Sequence, residues 1–155
     1  KHYSDIRIFE IGRIYDKSKE GQYATDITEN KKLPAQPYMI AGCISQKGNK
    51  MPFYDVKSVA LGMLDQLHVS YMCTVRKSTE CEAFMHPFRT LDVWALNDYI
   101  GYITELHPEV AYALDIDERV GTFEFNMHII AEHIKSKHKI RFNTFNDFMG
   151  PSGSW

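Results

Sequence analysis

Two arginines and a glutamate interrupt an apolar run near the start of the chain. RIFEIGRIY, residues 7–15, places Arg7, Glu10 and Arg13 inside what otherwise reads as a β-strand. A strand arginine is one way for an antiparallel sheet to hold phosphate, because the planar guanidinium forks onto two oxygens. The plainer assignment is a solvated strand edge, with the charges pairing with Glu10 or a cross-strand partner, and the sequence favours it. Neither GxxxxGK[ST] nor GxGxxG occurs, so no P-loop and no dinucleotide cradle is present.

Other chemistry-bearing residues are dispersed. His86, His107, His128 and His133 show no metal-ligand spacing, and His128 and His133 lie five apart, too far to share a helix face as an i, i+4 pair would. They read as surface or packing residues. Cys81 and His86 are a nucleophile and a base by type, but no supporting motif surrounds them. Cys43, Cys73 and Cys81 read as buried free thiols of a reducing compartment. Lys135, Lys137, His138, Lys139 and Arg141 form a basic run that reads as a solvated helix end rather than a nucleic-acid site. No residue is assigned a catalytic, cofactor-binding or metal-binding role.

The elements around these residues follow from periodicity. Asp5 to Tyr15 alternates apolar residues on both parities and is expected as a central strand covered in part on each face. A polar connection spans 16–36. Strands are expected over 37–45, 70–77, 91–96, 99–106 and 120–125, with a hairpin turn at Asn97-Asp98, residue types that tolerate left-handed backbone. Asp55 is placed as the cap of a helix carrying Val56, Val59, Ala60, Met63, Leu64 and Leu67, and Gly62 within it suggests close packing on a sheet. Pro108 opens a short second helix. Asn126 caps a third, which carries Met127, Ile130, Ala131 and Ile134. Six strands joined mostly by hairpins, with intermittent helices, define an α+β domain: a mainly antiparallel sheet flanked by helices.

Composition sets the outer limits. The chain of 155 residues is 44% apolar and 25% charged, enough for one globular domain with its own core. A net charge of −2 is not that of a protein that grips a polyanion with its whole surface. No apolar run approaches the ~20 residues of a membrane span, so no membrane partner is expected and the chain reads as cytoplasmic. Both ends read as cut from a longer polypeptide, with a weakly ordered or truncated tail over 139–155.

Four segments taken together carry a resemblance. RIFEIGRIY (7–15), FYDVKSVALGMLDQL (53–67), HPFRTLDVWALNDYIGYITELHPEVAYALDI (86–116) and VGTFEFNMHII (120–130) resemble, in order and spacing, the β subunit of bacterial phenylalanyl-tRNA synthetase. The matching part is its catalytic-like core module, here 1–138. The resemblance implies a class II synthetase-like sheet and an α2β2 ligase that joins phenylalanine to tRNA(Phe) with ATP and magnesium. In it, the α subunit does the chemistry and the β module supports it. The residues agree with lost chemistry: Phe123 and Phe125 stand where backbone must approach a nucleotide, Met127 and His128 open the next helix without an arginine, and Arg119 lies before the strand. Arg7 and Glu10 echo the phosphate-binding strand but point to opposite faces. RIFEIGRIY would then be a central strand whose charges serve structure or a subunit contact. The alternative is a free-standing paralogue that binds protein or RNA. The sequence after 140 does not resemble the anticodon-binding domain that follows in the family.

Overall fold

The computed structural model describes residues 5–16 and 35–136. Most of the connection expected over 16–36 and the tail expected from 139, with Lys137, His138, Lys139 and Arg141, lie outside these residues.

Six strands form one antiparallel sheet: β1 (Asp5–Arg13), β2 (Tyr38–Gln46), β3 (Cys73–Lys77), β4 (Met85–Ala95), β5 (Asp98–Leu106) and β6 (Val120–Asn126). Their spatial order is β1-β2-β6-β5-β4-β3. The expected α+β architecture is observed, but β1 is not central. It is an edge strand paired only with β2, and Ile8, Phe9 and Ile11 are 63%, 73% and 58% exposed. Apolar residues on both parities led to the central assignment. In this chain nothing among the described residues covers either face of β1.

The first helix, α1 (Pro52–Gln66), lies across β2, β6 and β5. It starts three residues before the expected cap. Proline fills the first helical turn, where its missing N–H costs nothing, and Met51 at the cap position makes no side-chain bond. Asn49 does the local work instead: Oδ1 accepts from Met51 N at 2.9 Å and Nδ2 donates to Asp55 Oδ2 at 2.5 Å. Asp55 thus sits inside the first turn, where its charge suits the helix dipole. Phe53, Val56, Ala60 and Leu64 are buried, whereas Val59 and Leu67 face outward. Gly62 does not mark close packing, since a Cβ there would meet open space. The close approach is at Gly121 on β6, where a Cβ would lie 2.5 Å from the Pro52 carbonyl oxygen.

The core is the α1 face of the sheet: Ile40, Ile44, Val93, Ala95, Ile100, Ile103, Phe123 and Phe125 pack with Val56, Ala60 and Leu64. Residues 70–72, expected as strand, form one 3₁₀ turn ahead of β3. The β4–β5 hairpin turns at Leu96-Asn97, one residue earlier than expected, because Ala95 pairs with Asp98. Leu96 takes the left-handed conformation, φ 55°, and its N–H donates to the Met72 carbonyl at 2.8 Å. The second helix, α2 (Pro108–Ala113), begins at its proline as expected. The third, α3 (127–136), is capped by Asn126, whose Oδ1 accepts from His128 N and Ile129 N at 3.0 and 3.2 Å.

Candidate functional site

Side chains alternate across a strand, so the residues next to the core positions of β6 and β5 face away from α1. Glu124 and Tyr102, opposite each other in the ladder, occupy this second face. With Phe84, Tyr99, Glu82 and Asp16 they line a cavity of about 410 Å³ that extends under Asn126 and Ile129 at the start of α3. Gly101, at φ 149°, brings β5 so close to β6 that a Cβ would collide with the Glu124 carbonyl oxygen. This close approach sets the cavity floor. The Phe84 and Tyr102 rings meet edge to face, 5.7 Å between centroids.

The charged residues lining the cavity are all acidic, while Arg76 lies further along the same face, opposite Asp92 in the β3–β4 ladder. Burial pushes the Glu124 carboxyl above its ordinary pKa. Burial, then the carboxylates of Asp92, Glu124 and Glu82, push the Tyr99 phenol up to about 12. Burial, then Glu124, push Tyr102 upward as well. No arginine or lysine stands among the described lining residues. Triphosphate does not fit such a lining, because its charge would meet carboxylates with no guanidinium to offset them.

At the other end of β5 the charges are buried and paired. Glu105 is 2% exposed. Its Oε1 accepts from Arg119 Nε at 2.5 Å and lies 3.5 Å from Arg89 Nη1. Arg119 Nη1 also donates to the Lys50 carbonyl, tying the approach to α1 to the start of β6. Arg89 Nη1 lies 2.7 Å from His86 Nε2. Desolvation, then the Arg89 charge, hold the His86 imidazole below its ordinary pKa. Among the described residues Glu105 Oε2 is buried without a hydrogen-bond partner.

The residues singled out in the sequence fall elsewhere. Arg7 and Arg13 lie on the edge strand on the α1 side, opposite Ile44 and Tyr38. Arg7 Nε is 3.7 Å from Asp5 Oδ1, and the Arg13 guanidinium stacks 4.6 Å over the Tyr38 ring. Glu10 pairs with neither and faces the other way, as the spacing requires. His107 caps α2, its Nδ1 accepting from Glu109 N at 3.2 Å. His128 and His133 lie 3.3 and 2.9 Å from Glu132 and Asp98. No contact joins Cys81 to His86 among the described residues. Cys81 is exposed, and Cys43 and Cys73 are half-buried rather than buried, all three as free thiols. Among the described residues no group of three His, Cys, Asp or Glu side chains could hold a metal ion, and no helix is long and apolar enough to cross a membrane. Phe123 and Phe125 do not stand in the cavity: both point into the α1 core. The aromatic bulk there comes from Phe84, Tyr99 and Tyr102. Sequence reading missed these residues, and missed Glu105, because register and not spacing brings them together.

A six-stranded antiparallel sheet with this topology is shared with class II aminoacyl-tRNA synthetases. Two solved structures of pyrrolysyl-tRNA synthetase from Desulfitobacterium hafniense align over 84% of this chain and 42% of theirs, at TM-scores of 0.60 and 0.56 and identities of 16% and 14%. At that identity the likeness shows the fold. The profile of the phenylalanyl-tRNA synthetase beta chain CLM domain matches residues 1–127. The chain belongs to that family. It is 30% identical to the phenylalanine–tRNA ligase beta subunit of Geobacter sulfurreducens over 131 residues, 79% of this chain and 15% of that one. With the beta subunit of Syntrophus aciditrophicus it shares 29% over 134 residues, 83% and 16%. The chain spans about a sixth of the length of these relatives.

Proposed function

We propose that this chain acts as a non-catalytic supporting module of the β subunit of a phenylalanine–tRNA ligase. On this reading residues 1–138 form the module and 139–155 a tail. The partner is the ligase α subunit in an α2β2 assembly in the cytoplasm. ATP, magnesium and tRNA(Phe) are engaged by the parent complex, and no residue of this chain is catalytic or binds a cofactor or metal.

One observation carries the reading. The cavity on the sheet face opposite α1 is lined by Glu124, Glu82 and Asp16 and by no guanidinium among its described residues, while Arg7 and Arg13 lie on the far side of the edge strand and Arg76, on the cavity's own face, stacks over Trp94. Phosphoryl and adenylyl transfer depend on cations aimed at phosphate oxygens, and Arg89 and Arg119 are committed to Glu105. The test is phenylalanine-dependent exchange of pyrophosphate into ATP by the 155-residue chain, alone and with a ligase α subunit added. The expected result is no exchange by the chain alone. Exchange that survives purification and disappears on Glu124→Lys would overturn the proposal.

A further inference from the structure

The cavity opposite α1 is lined by carboxylates and by no described arginine or lysine, and it is open. It keeps about 410 Å³ of space, three aromatic walls and carboxylates at its floor and rim. From this combination we infer that the cavity is a binding site for an organic monocation, with a primary ammonium group seated between the Glu124 carboxylate and the rings of Tyr102 and Tyr99.

Two independent properties point the same way. The first is the lining itself. Aromatic faces carry negative quadrupole charge and attract a cation within about 6 Å of the ring centroid, most strongly where water is excluded. Phe84 and Tyr102 are already locked edge to face at 5.7 Å, so the wall is formed in advance. The second is the state of Glu124. Its carboxylate has no hydrogen bond or ion pair among the described residues, although the residue lies half-buried on a central strand. A carboxylate so placed is stabilised by an entering cation, and none of the described residues supplies a hydrogen bond or counter-charge in its stead. Glu82 at the rim adds to the same field, which acts on the Tyr99 phenol together with Glu124 and Asp92. The volume suits a small alkyl or aralkyl amine, whose apolar part would lie toward Met39 and Ile129. An ammonium with a short apolar tail could also be a lysine side chain of another protein, and the shared chemistry is the inference.

The inference does not depend on membership in a ligase. Isothermal titration of the 155-residue chain with n-butylammonium chloride, with 1-butanol as the neutral analogue and MgATP as the anion, tests it. The expected result is saturable binding of the amine and none of the alcohol or nucleotide. Glu124→Gln, nearly isosteric, should weaken the amine roughly tenfold or more, while Lys57→Gln on the far side of α1 should leave it unchanged. Amide chemical shifts of both variants report that the fold is intact. Amine contacts confined to Tyr99, Tyr102 and Glu124 place the site, and competition by a lysine-bearing peptide but not its acetylated form identifies a protein source. Equal binding of amine and alcohol, an unchanged affinity in a folded Glu124→Gln variant, or no saturation by the amine would overturn the inference.

Discussion

Glu105 shows what a single side chain does in this sheet. It is buried to 2% exposure at the end of a central strand, where an unpaired charge would be prohibitive, and two arginines 33% and 36% exposed close over it. Removing one member of such a cluster leaves the others without a counter-charge, a loss of about 3–5 kcal/mol when the site is dry. Solvent reaches both arginines, so the lower end of that range applies. Glu105→Ala should therefore lower the free energy of urea unfolding by about 3 kcal/mol. A loss under about 1 kcal/mol would mean that water already screens the cluster. None of this was legible in the sequence. Arg119 and Glu105 are 14 residues apart and Arg89 and Glu105 are 16 apart, and only the β4–β5 and β5–β6 registers bring them together. By contrast, the Asn126 cap and the Pro108 helix start could be read in advance, because their partners lie within three residues.

At the scale of elements, the local signals worked where one face of the element is buried and failed where that condition does not hold. α1 has a single apolar stripe, and its position was legible; its first turn was not, because Pro52 starts it behind a Met51 cap with no side-chain bond, and Asp55 is the first residue of capping type after it. β1 has apolar residues on both parities, which reads as a strand covered on two sides. Its burial pattern is the reverse: exposed almost throughout. A long exposed apolar edge is a liability that isolated domains avoid, and the described residues leave that of β1 uncovered. Two consequences separate β1 from the core. Phe9→Ser, at 73% exposure, should change the unfolding free energy by no more than about 0.5 kcal/mol. Phe125→Ala, fully buried, should cost about 3–5 kcal/mol. In sedimentation velocity, wild type should self-associate with rising concentration and Phe9→Ser should do so less. A Phe9→Ser variant as unstable as Phe125→Ala would show that β1 belongs to the core after all.

Over the whole molecule, the sheet shares a synthetase fold while the cavity on its open side is lined by carboxylates. Every ladder pair of a nucleotide-binding sheet can form without a single arginine, because strand pairing uses only the backbone, whereas phosphate recognition uses side chains that point off the faces. Fold and chemistry are therefore separable: strand pairing can persist whatever side chains line the open face. The net charge of −2 extends the point to nucleic acid. Affinity for RNA comes largely from lysines and arginines that displace counterions from phosphates, and each such contact steepens the salt dependence. In this chain Arg89 and Arg119 are engaged with Glu105, Arg13 stacks on Tyr38, Arg76 stacks on Trp94, and Asp16, Glu82 and Glu124 face a cavity on the open side of the sheet. The 155-residue chain alone should therefore leave tRNA(Phe) unshifted in a gel assay at micromolar protein and about 150 mM salt, a condition at which basic domains still bind non-specifically. Retention at that salt, with an affinity that falls steeply as salt is raised, would mean that a cationic surface exists where the described residues place carboxylates, and the separation of fold from polyanion binding would fail with it.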